Sequence, residues 1–230
     1  ILGDTCTRAC RFCNVKTGRG LPPDPTEPER IAAAIRDLGL RYAVITSVDR
    51  DDLADYGSGH FAAVVEAIRR AAPGVKIELL TPDFRGDTDA LDRVVAAGPD
   101  KLAHNEETVR RLSPAIRPQS DYDRSLKVLR HYADRFAGPV KSSLMVGLGE
   151  TEAELVETME DLYAAGVREL TIGQYLRPTS RHAPVVKYHL PEYFRRLEKT
   201  ARAIGFDAVA SGTLVRSSYY AERLGDKVLP

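Results

Sequence analysis

The chain has 230 residues, 43% of them apolar, and balances 33 basic against 33 acidic side chains at a pI near 7.1. That length allows one large domain or two small ones with ample buried core, and zero net charge argues against a protein devoted to coating nucleic acid or an anionic membrane. No apolar run approaches the ~20 residues that span a bilayer, and three cysteines are too few, and odd in number, for a disulfide framework; a soluble intracellular protein is expected.

Taken in order, Ile1-Leu2 reads as the tail of a first strand, and because the chain does not open on methionine an N-terminal extension is expected before it. Thr26 and Glu29 predict a capping box for a helix with Ile31, Ile35 and Leu38 on one face, ended by Gly39. Residues 42–46 form a short apolar run read as a buried parallel strand. The next helix turns Phe61, Val64, Val65 and Ile68 inward and closes at Pro73-Gly74, and residues 75–80 are the following strand. A helix over 90–97 stops at Gly98, a weak strand covers 101–103, and a helix runs through Leu126 and Leu129. Residues 140–146 are a strand, Thr151 and Glu154 cap a helix carrying Leu155, Met159 and Leu162, and Gly166 ends it. A strand at 169–172, a helix lined by Phe194, Leu197, Ala201 and Ile204 and ended by Gly205, and a last short strand at 208–210 complete the rhythm.

Counting Ile1-Leu2, this is about six β/α units, whose strands must run parallel through right-handed crossovers. Six units fall short of the eight of a closed barrel. The expected fold is α/β, an open partial (β/α)6 barrel of the TIM type over residues 1–230, with 206–230 as a C-terminal segment. A doubly wound sheet is the alternative. In both, functional residues sit at the C-terminal ends of strands, which selects 4–13, 46–52, 81–84, 104–107, 147–150 and 173–178.

All three cysteines fall in the first of these stretches, as Cys6, Cys10 and Cys13, a C-x3-C-x2-C spacing. Scattered core cysteines would not cluster, and a disulfide would leave one thiol over. A structural zinc wants four nitrogen or sulfur donors, and the nearest histidine is His60, so zinc stays open only with a distant ligand. Three thiolates suit a 4Fe-4S cube better, since they leave one iron open to a small molecule. Arg8, Arg11, Lys16 and Arg19 either favour the thiolates and tune the cluster or form a solvated loop.

This spacing, with Phe12 before the third cysteine and a β/α chain behind it, resembles the radical S-adenosylmethionine (SAM) superfamily. The flanking text is similar to the lipoyl synthase family: 1–13 with Val15-Lys16-Thr17-Gly18, then 46–53, 80–84, 144–150, 173–176, and Val215-Arg216-Ser217-Ser218-Tyr219 near the end. The resemblance implies that the open iron of the cluster chelates SAM and that one electron splits it to methionine and a 5′-deoxyadenosyl radical. It further implies that such radicals abstract hydrogen from the sixth and then the eighth carbon of an octanoyl group on a carrier-protein lysine, and that sulfur enters at both.

By the same resemblance Ser47 and Asp49 meet the SAM amino group, while Asp51 and Asp52 cap a helix. Asn105 and Glu107 reach its ribose or methionyl part, with an N-cap role for Asn105 as the plain alternative. Gly147 and Gly149 let backbone approach the adenosyl group, Gln174 and Leu176 present backbone groups and an apolar face to adenine, and Glu150 favours a helix N-terminus. Lys141 either counters the SAM carboxylate or is a strand-edge lysine. The sulfur source implied is a second, auxiliary 4Fe-4S cluster held by three further cysteines upstream and by Ser217 or Ser218; the sequence as given is therefore expected to cleave SAM but not to insert sulfur unaided. Implied partners are octanoylated lipoyl-domain proteins (the E2 components of 2-oxoacid dehydrogenases, and glycine-cleavage H protein) and a ferredoxin or flavodoxin electron donor, with no nucleic acid or membrane. The implied location is cytoplasmic, or mitochondrial in a eukaryote. Asn14, Ser143 and Glu106 depart from the family pattern, which has aspartate, glycine and an apolar residue there.

Overall fold

The computed structural model of the chain describes residues 1–218, 221 and 222; Tyr219 of the Arg-Ser-Ser-Tyr signature and residues 223–230 lie outside the described residues. Two short strands, β1 (Thr5–Cys6) and β2 (Lys16–Thr17), pair in parallel with each other and hold the cysteine loop between them. After α1 (Glu27–Asp37) come β3 (Tyr42–Thr46), α2 (Ser58–Ala71), β4 (Lys76–Leu80), a 3-10 turn (Phe84–Gly86), α3 (Thr88–Ala96) and β5 (Lys101–Ala103). Then follow α4 (Ser113–Ile116), α5 (Tyr122–Arg135), β6 (Val140–Val146), α6 (Glu152–Ala164), β7 (Glu169–Gln174), α7 (Pro191–Ile204) and β8 (Ala208–Gly212).

The six strands β3 to β8 form one sheet whose spatial order is the chain order, every pair parallel. That order decides between the two expected folds. A doubly wound sheet reverses direction at a switch point and takes helices on both faces, whereas successive right-handed crossovers in one direction put every helix on the same face and curl the sheet. The result is the open partial barrel.

Its six strands are not quite the six expected. Ile1-Leu2 is no strand: Leu2 and Gly3 both take positive φ (70° and 91°), which a ladder does not accept, although the Ile1 nitrogen still donates to the Thr46 carbonyl at 2.8 Å. The short run near residue 208 supplies the sixth strand instead. The capping box at Thr26 also fails, because Asp24 captures both the Thr26 amide and hydroxyl (2.8 and 2.7 Å) and Glu29 turns outward to Arg70. Leu38 stands beyond the last turn of α1 and is 72% exposed. The Thr151–Glu154 box on α6 is complete.

Alternation along the strands sorts the two faces of the sheet. Ile45, Ile77, Leu79, Leu102, Leu144, Leu170, Ile172 and Val209 pack beneath the helices, against Phe61, Val64, Ile68, Leu129, Leu162 and Phe194 among others. The concave face carries buried charges instead. Glu78 of β4 pairs with Lys141 of β6 and accepts the Tyr42 hydroxyl at 2.6 Å, and Lys101 of β5 pairs with Glu169 of β7 at 2.5 Å. Each charge is thus neutralised by an opposite one on a next-but-one strand, as burial away from water requires.

Candidate active site

The loop between β1 and β2 carries the three thiols and is fastened from several sides. The Thr7 amide donates to the Asp49 carbonyl at 3.0 Å, the Arg11 amide to the Ile116 carbonyl at 2.8 Å, and the Ala183 amide to the Arg11 carbonyl at 2.8 Å. The Cys13 amide closes a turn onto the Cys10 carbonyl at 3.1 Å, and His182 Nε2 meets the Cys13 carbonyl at 3.0 Å while its Nδ1 contacts Thr179 Oγ1. Phe12 packs on a small apolar cluster of Ile116, Leu148, Tyr175 and Ala183. Cys6 Sγ accepts from the amides of Asp49 (3.3 Å) and Arg8 (3.4 Å). All three cysteines are free and half-buried.

Arg8 is not a solvated loop residue. It is 4% exposed, pairs with Asp49 (3.2 Å), Asp51 (2.9 Å) and Asp83, and bonds Ser120 Oγ at 3.3 Å. Arg11, Lys16 and Arg19 do face solvent, so the basic residues do not draw protons off the thiols as expected. Burial instead pushes Cys6 up and Cys10 up to about 12; Arg117 opposes this at Cys10, and Asp49 and Glu107 reinforce it. A metal must therefore displace protons to bind here. Asp51 and Asp52 cap no helix: Asp51 serves Arg8 and Arg85, and Asp52 serves the buried Arg50.

Beside this loop an open pocket lies at the C-terminal ends of β3, β4 and β5. It is lined by Cys10, Phe12, Ser47, Asp49, Asn105, Glu107, Arg117 and Ser120, with Arg8, Asp83 and His104 behind. Five residues expected to act together, Cys10, Ser47, Asp49, Asn105 and Glu107, are thus brought to one place from three separate strand ends. Asn105 caps no helix; its Nδ2 donates to Glu107 Oε1 at 3.1 Å. Glu107 holds φ +68° because its amide and carbonyl bridge to Ser143 and Met145 of β6, fixing its side chain at the pocket edge. Burial raises the Asp49 and Glu107 carboxyls, with Arg8 and Arg117 respectively opposing it. Glu106, in the place of an apolar residue, is fully buried and its backbone and carboxylate oxygens receive Arg117 (2.5 and 3.0 Å).

His104 bridges the Thr81 carbonyl (2.9 Å) and Ser125 Oγ (3.0 Å), a neutral ring whose Nδ1 donates and Nε2 accepts. Burial, with Arg117 nearby, pushes it down to about 4. The folded value lies below the unfolded one near 6.5, so the unfolded chain takes the proton first. Stability is then intact above pH ~6.5 and falls as pH drops towards ~4, by about 2 kcal/mol between pH 7 and 5. Urea melts at the two pH values check this, and His104→Gln flattens the difference.

Comparison with known proteins now adds identity to this geometry. The sequence pattern of the Radical SAM superfamily matches residues 1–162. The lipoyl synthase of Thermus thermophilus is 56% identical over 229 residues, covering 97% of this chain and 70% of that one. The lipoyl synthase of Porphyromonas gingivalis is 52% identical over 221 residues, 96% of this chain and 78% of that one. The chain belongs to the lipoyl synthase family. Among solved structures, methylornithine synthase superposes with a TM-score of 0.72 at 14% identity (90% of this chain, 62% of that one), and a maturase of the FeFe-hydrogenase with 0.69 at 13% (90% and 49%). These two share the fold.

A radical SAM enzyme of the lipoyl synthase family needs a 4Fe-4S cluster and SAM, and the residues present fit both. Ser47 Oγ and Asn105 Oδ1 are buried polar atoms without a partner, next to Cys10 in the pocket, where an ammonium and ribose hydroxyls would satisfy them. Among the described residues no three His, Cys, Asp or Glu side chains converge as a single ion such as zinc requires; a four-iron cube takes its thiolates from separate corners and asks for no such convergence.

Two further lipoyl synthase motifs lie at the ends of β6 and β7, outside this pocket, and the Arg-Ser-Ser motif follows β8. The Gln174 side chain is committed elsewhere: Nε2 donates to the carbonyls of Val146, Tyr175 and Lys187 (3.0–3.1 Å) and Oε1 accepts from His189 at 3.0 Å. It pins the strap that leads to α7, so its expected approach to adenine is left to backbone groups. Leu176 is 44% exposed. Glu150 accepts the amides of Gly147 (2.5 Å) and Leu148 (2.9 Å), ordering the loop and not a helix N-terminus.

Gly149 turns the same loop at φ +108°. Gly147 has φ +102°, and a Cβ there would collide with Gln174 Nε2 and the Lys187 carbonyl. Gly147→Ala is expected to cost about 2–3 kcal/mol in urea unfolding.

Lys141 is neither a SAM-carboxylate partner nor an edge lysine; it is buried in the barrel against Glu78. Ser217 lies next to it, half-buried, while Ser218 is exposed. Sequence reasoning passed over Arg117 and His182. The rule of looking just past strand ends stopped at Pro178, a few residues short of His182, and nothing local marks Arg117.

Proposed function

We propose that this chain is the radical SAM core of a lipoyl synthase, cleaving SAM in the service of sulfur insertion at the sixth and eighth carbons of an octanoyl group borne on a carrier-protein lysine. The observation that carries the reading is the pair of partnerless atoms, Ser47 Oγ and Asn105 Oδ1, beside a thiol of the cysteine motif. When bound, the cluster supplies one electron for the reductive cleavage of SAM, which makes hydrogen abstraction from an unactivated C–H possible.

The chain's own work is to bind and orient. Cys6, Cys10 and Cys13 would hold the cluster, with the Asp49 and Arg8 amides donating to the Cys6 sulfur and moderating its charge. Ser47 and Asp49 would accept from the SAM ammonium, Asn105 and Glu107 would take its ribose or methionyl part, and the 147–149 and 174–176 backbone would flank its base. Phe12 and its apolar cluster keep water from that side of the pocket.

Ser217 or Ser218 would contribute to an auxiliary 4Fe-4S cluster as sulfur source; the three cysteines of the sequence all belong to the one motif, so the other auxiliary ligands are not among these 230 residues. Octanoylated lipoyl domains, or the glycine-cleavage H protein, are the substrates proposed, with ferredoxin or flavodoxin as donor and the cytoplasm as location. No helix of the described residues is long and apolar enough to cross a membrane.

The test is anaerobic reconstitution with iron and sulfide, then reaction with SAM and dithionite as reductant, followed by mass spectrometry of 5′-deoxyadenosine and of an octanoyl-lysine peptide. These 230 residues should yield deoxyadenosine without lipoyl product, and the same residues joined to a segment carrying the family's three further cysteines both. Deoxyadenosine from neither overturns the reading.

A further inference from the structure

We propose that Lys141, paired with Glu78 inside the barrel, is a positioning residue that anchors the Arg216-Ser217-Ser218 turn. This rests on the reading above, in which that turn offers a serine to the auxiliary cluster.

Lys141 stands fully buried on the concave face of β6, and its Nζ has two partners. One is the Glu78 carboxylate, whose other oxygen accepts from Tyr42. The second is the Ser217 carbonyl at 2.7 Å, 76 residues away in sequence. A lysine ammonium carries three donors in a compact group, so it can serve an ion pair and a carbonyl at once.

The chain is led to this point by close packing. Gly173 of β7 has no side chain, and a Cβ there would collide with the Val215 carbonyl, so the segment after β8 lies directly on β7. Val215 itself packs on Ala208 and Ala210. Among the described residues the other bonds of the turn are local: the Arg216 guanidinium folds back to the Val215 carbonyl at 2.6 Å, and the Ala221 amide reaches the Ser218 carbonyl at 3.4 Å.

Position matters here because a serine oxygen is a weaker iron ligand than a thiolate, and a site must hold its ligands to about 0.5 Å. An anchor on the adjoining carbonyl restricts where either serine can reach. The buried pair therefore does more than fill the barrel.

The test uses Glu78→Leu combined with Lys141→Met in the anaerobically reconstituted protein joined to a segment carrying the family's three further cysteines. Exchanging a whole buried ion pair for apolar groups of similar volume is commonly near neutral for stability, unlike removal of one partner. The urea midpoint should stay at the wild-type value. Trypsin cleavage after Arg216, followed as the fragment beginning at Ser217, should quicken at least about tenfold if the anchor held the turn closed. Lipoyl product formed per deoxyadenosine should fall severalfold, a ratio that a merely structural role would not move.

Unchanged cleavage, or faster cleavage with an unchanged ratio, overturns the proposal. Should the double variant fail to fold, Gly173→Ala displaces the same segment without touching the ion pair and is expected to give the same two changes; their absence overturns it equally. If the wild-type protein makes deoxyadenosine but no lipoyl product, the sulfur-insertion reading fails on its own, and the trypsin comparison still decides whether Lys141 holds the turn.

Discussion

Arg8→Met is expected to lower the unfolding free energy by about 3–5 kcal/mol, the usual loss when one partner of a buried ion pair is removed. Arg8 is a buried cation facing Asp49, Asp51 and Asp83. Burial by itself would raise the Asp83 carboxyl, but Arg8 and Arg124 hold it well below the usual carboxylate range. Without Arg8 these carboxylates keep only Arg85 on Asp51 and Arg124 on Asp83, with no cation for Asp49 or at their common centre, and some must take up protons to relax.

Asp51 and Asp83 are depressed in the folded state, so their contribution is present above the unfolded carboxylate value near 4 and is lost as pH falls through the folded values. The deficit of the variant should therefore be largest near neutral pH and shrink in acid. Urea unfolding at pH 7 and at pH ~2.5, below the unfolded carboxylate value, measures both, and an unfolding free energy within ~1 kcal/mol of wild type at pH 7 would show that the clasp is idle.

The second large effect is on chemistry. Cys10→Ala should abolish deoxyadenosine formation, by on the order of a thousandfold or more, given that loss of a mere outer-shell partner of a metal ligand already costs 10–100-fold. Cys10 is the thiol that lines the pocket with Ser47, Asn105 and Glu107, so its loss would leave the cluster two of its three thiolate ligands. The two variants separate cleanly. Arg8→Met weakens the fold at every iron loading, whereas Cys10→Ala should keep the urea midpoint within about 1 kcal/mol-equivalent of wild type, as small buried substitutions commonly do. Retained iron and retained deoxyadenosine in Cys10→Ala would remove the cluster reading.

The strand at 140–146 and the capping box at Thr151 were legible to the residue, since both rest on patterns within a few positions of each other. The failures were equally local in origin. Thr26 looked like a cap until Asp24, two residues earlier, took its hydroxyl, and Ile1-Leu2 looked like a strand until two positive φ values bent it away. At the site, the stretches after β3 and β5 meet Cys10 of the cysteine motif in one pocket, a place that looking past strand ends had singled out. The commitment of the Gln174 side chain was not legible, because its four backbone partners lie across β6 and the strap.

By itself the amino-acid order determined the alternation of strands and helices, the parallel sheet that such alternation forces, the cysteine motif and the family. Those features are written in periodicities, caps and short spacings, which any folded form of the chain must honour. Tertiary structure alone decided that strand order is sequential and the barrel open, that Arg8 is clasped by three carboxylates, that His182 meets the Cys13 carbonyl from 169 residues away, and that Lys141 turns inward to Glu78 and Ser217. The physical reason is that a charged side chain's role depends on what is buried beside it, and burial brings together groups that no local pattern connects.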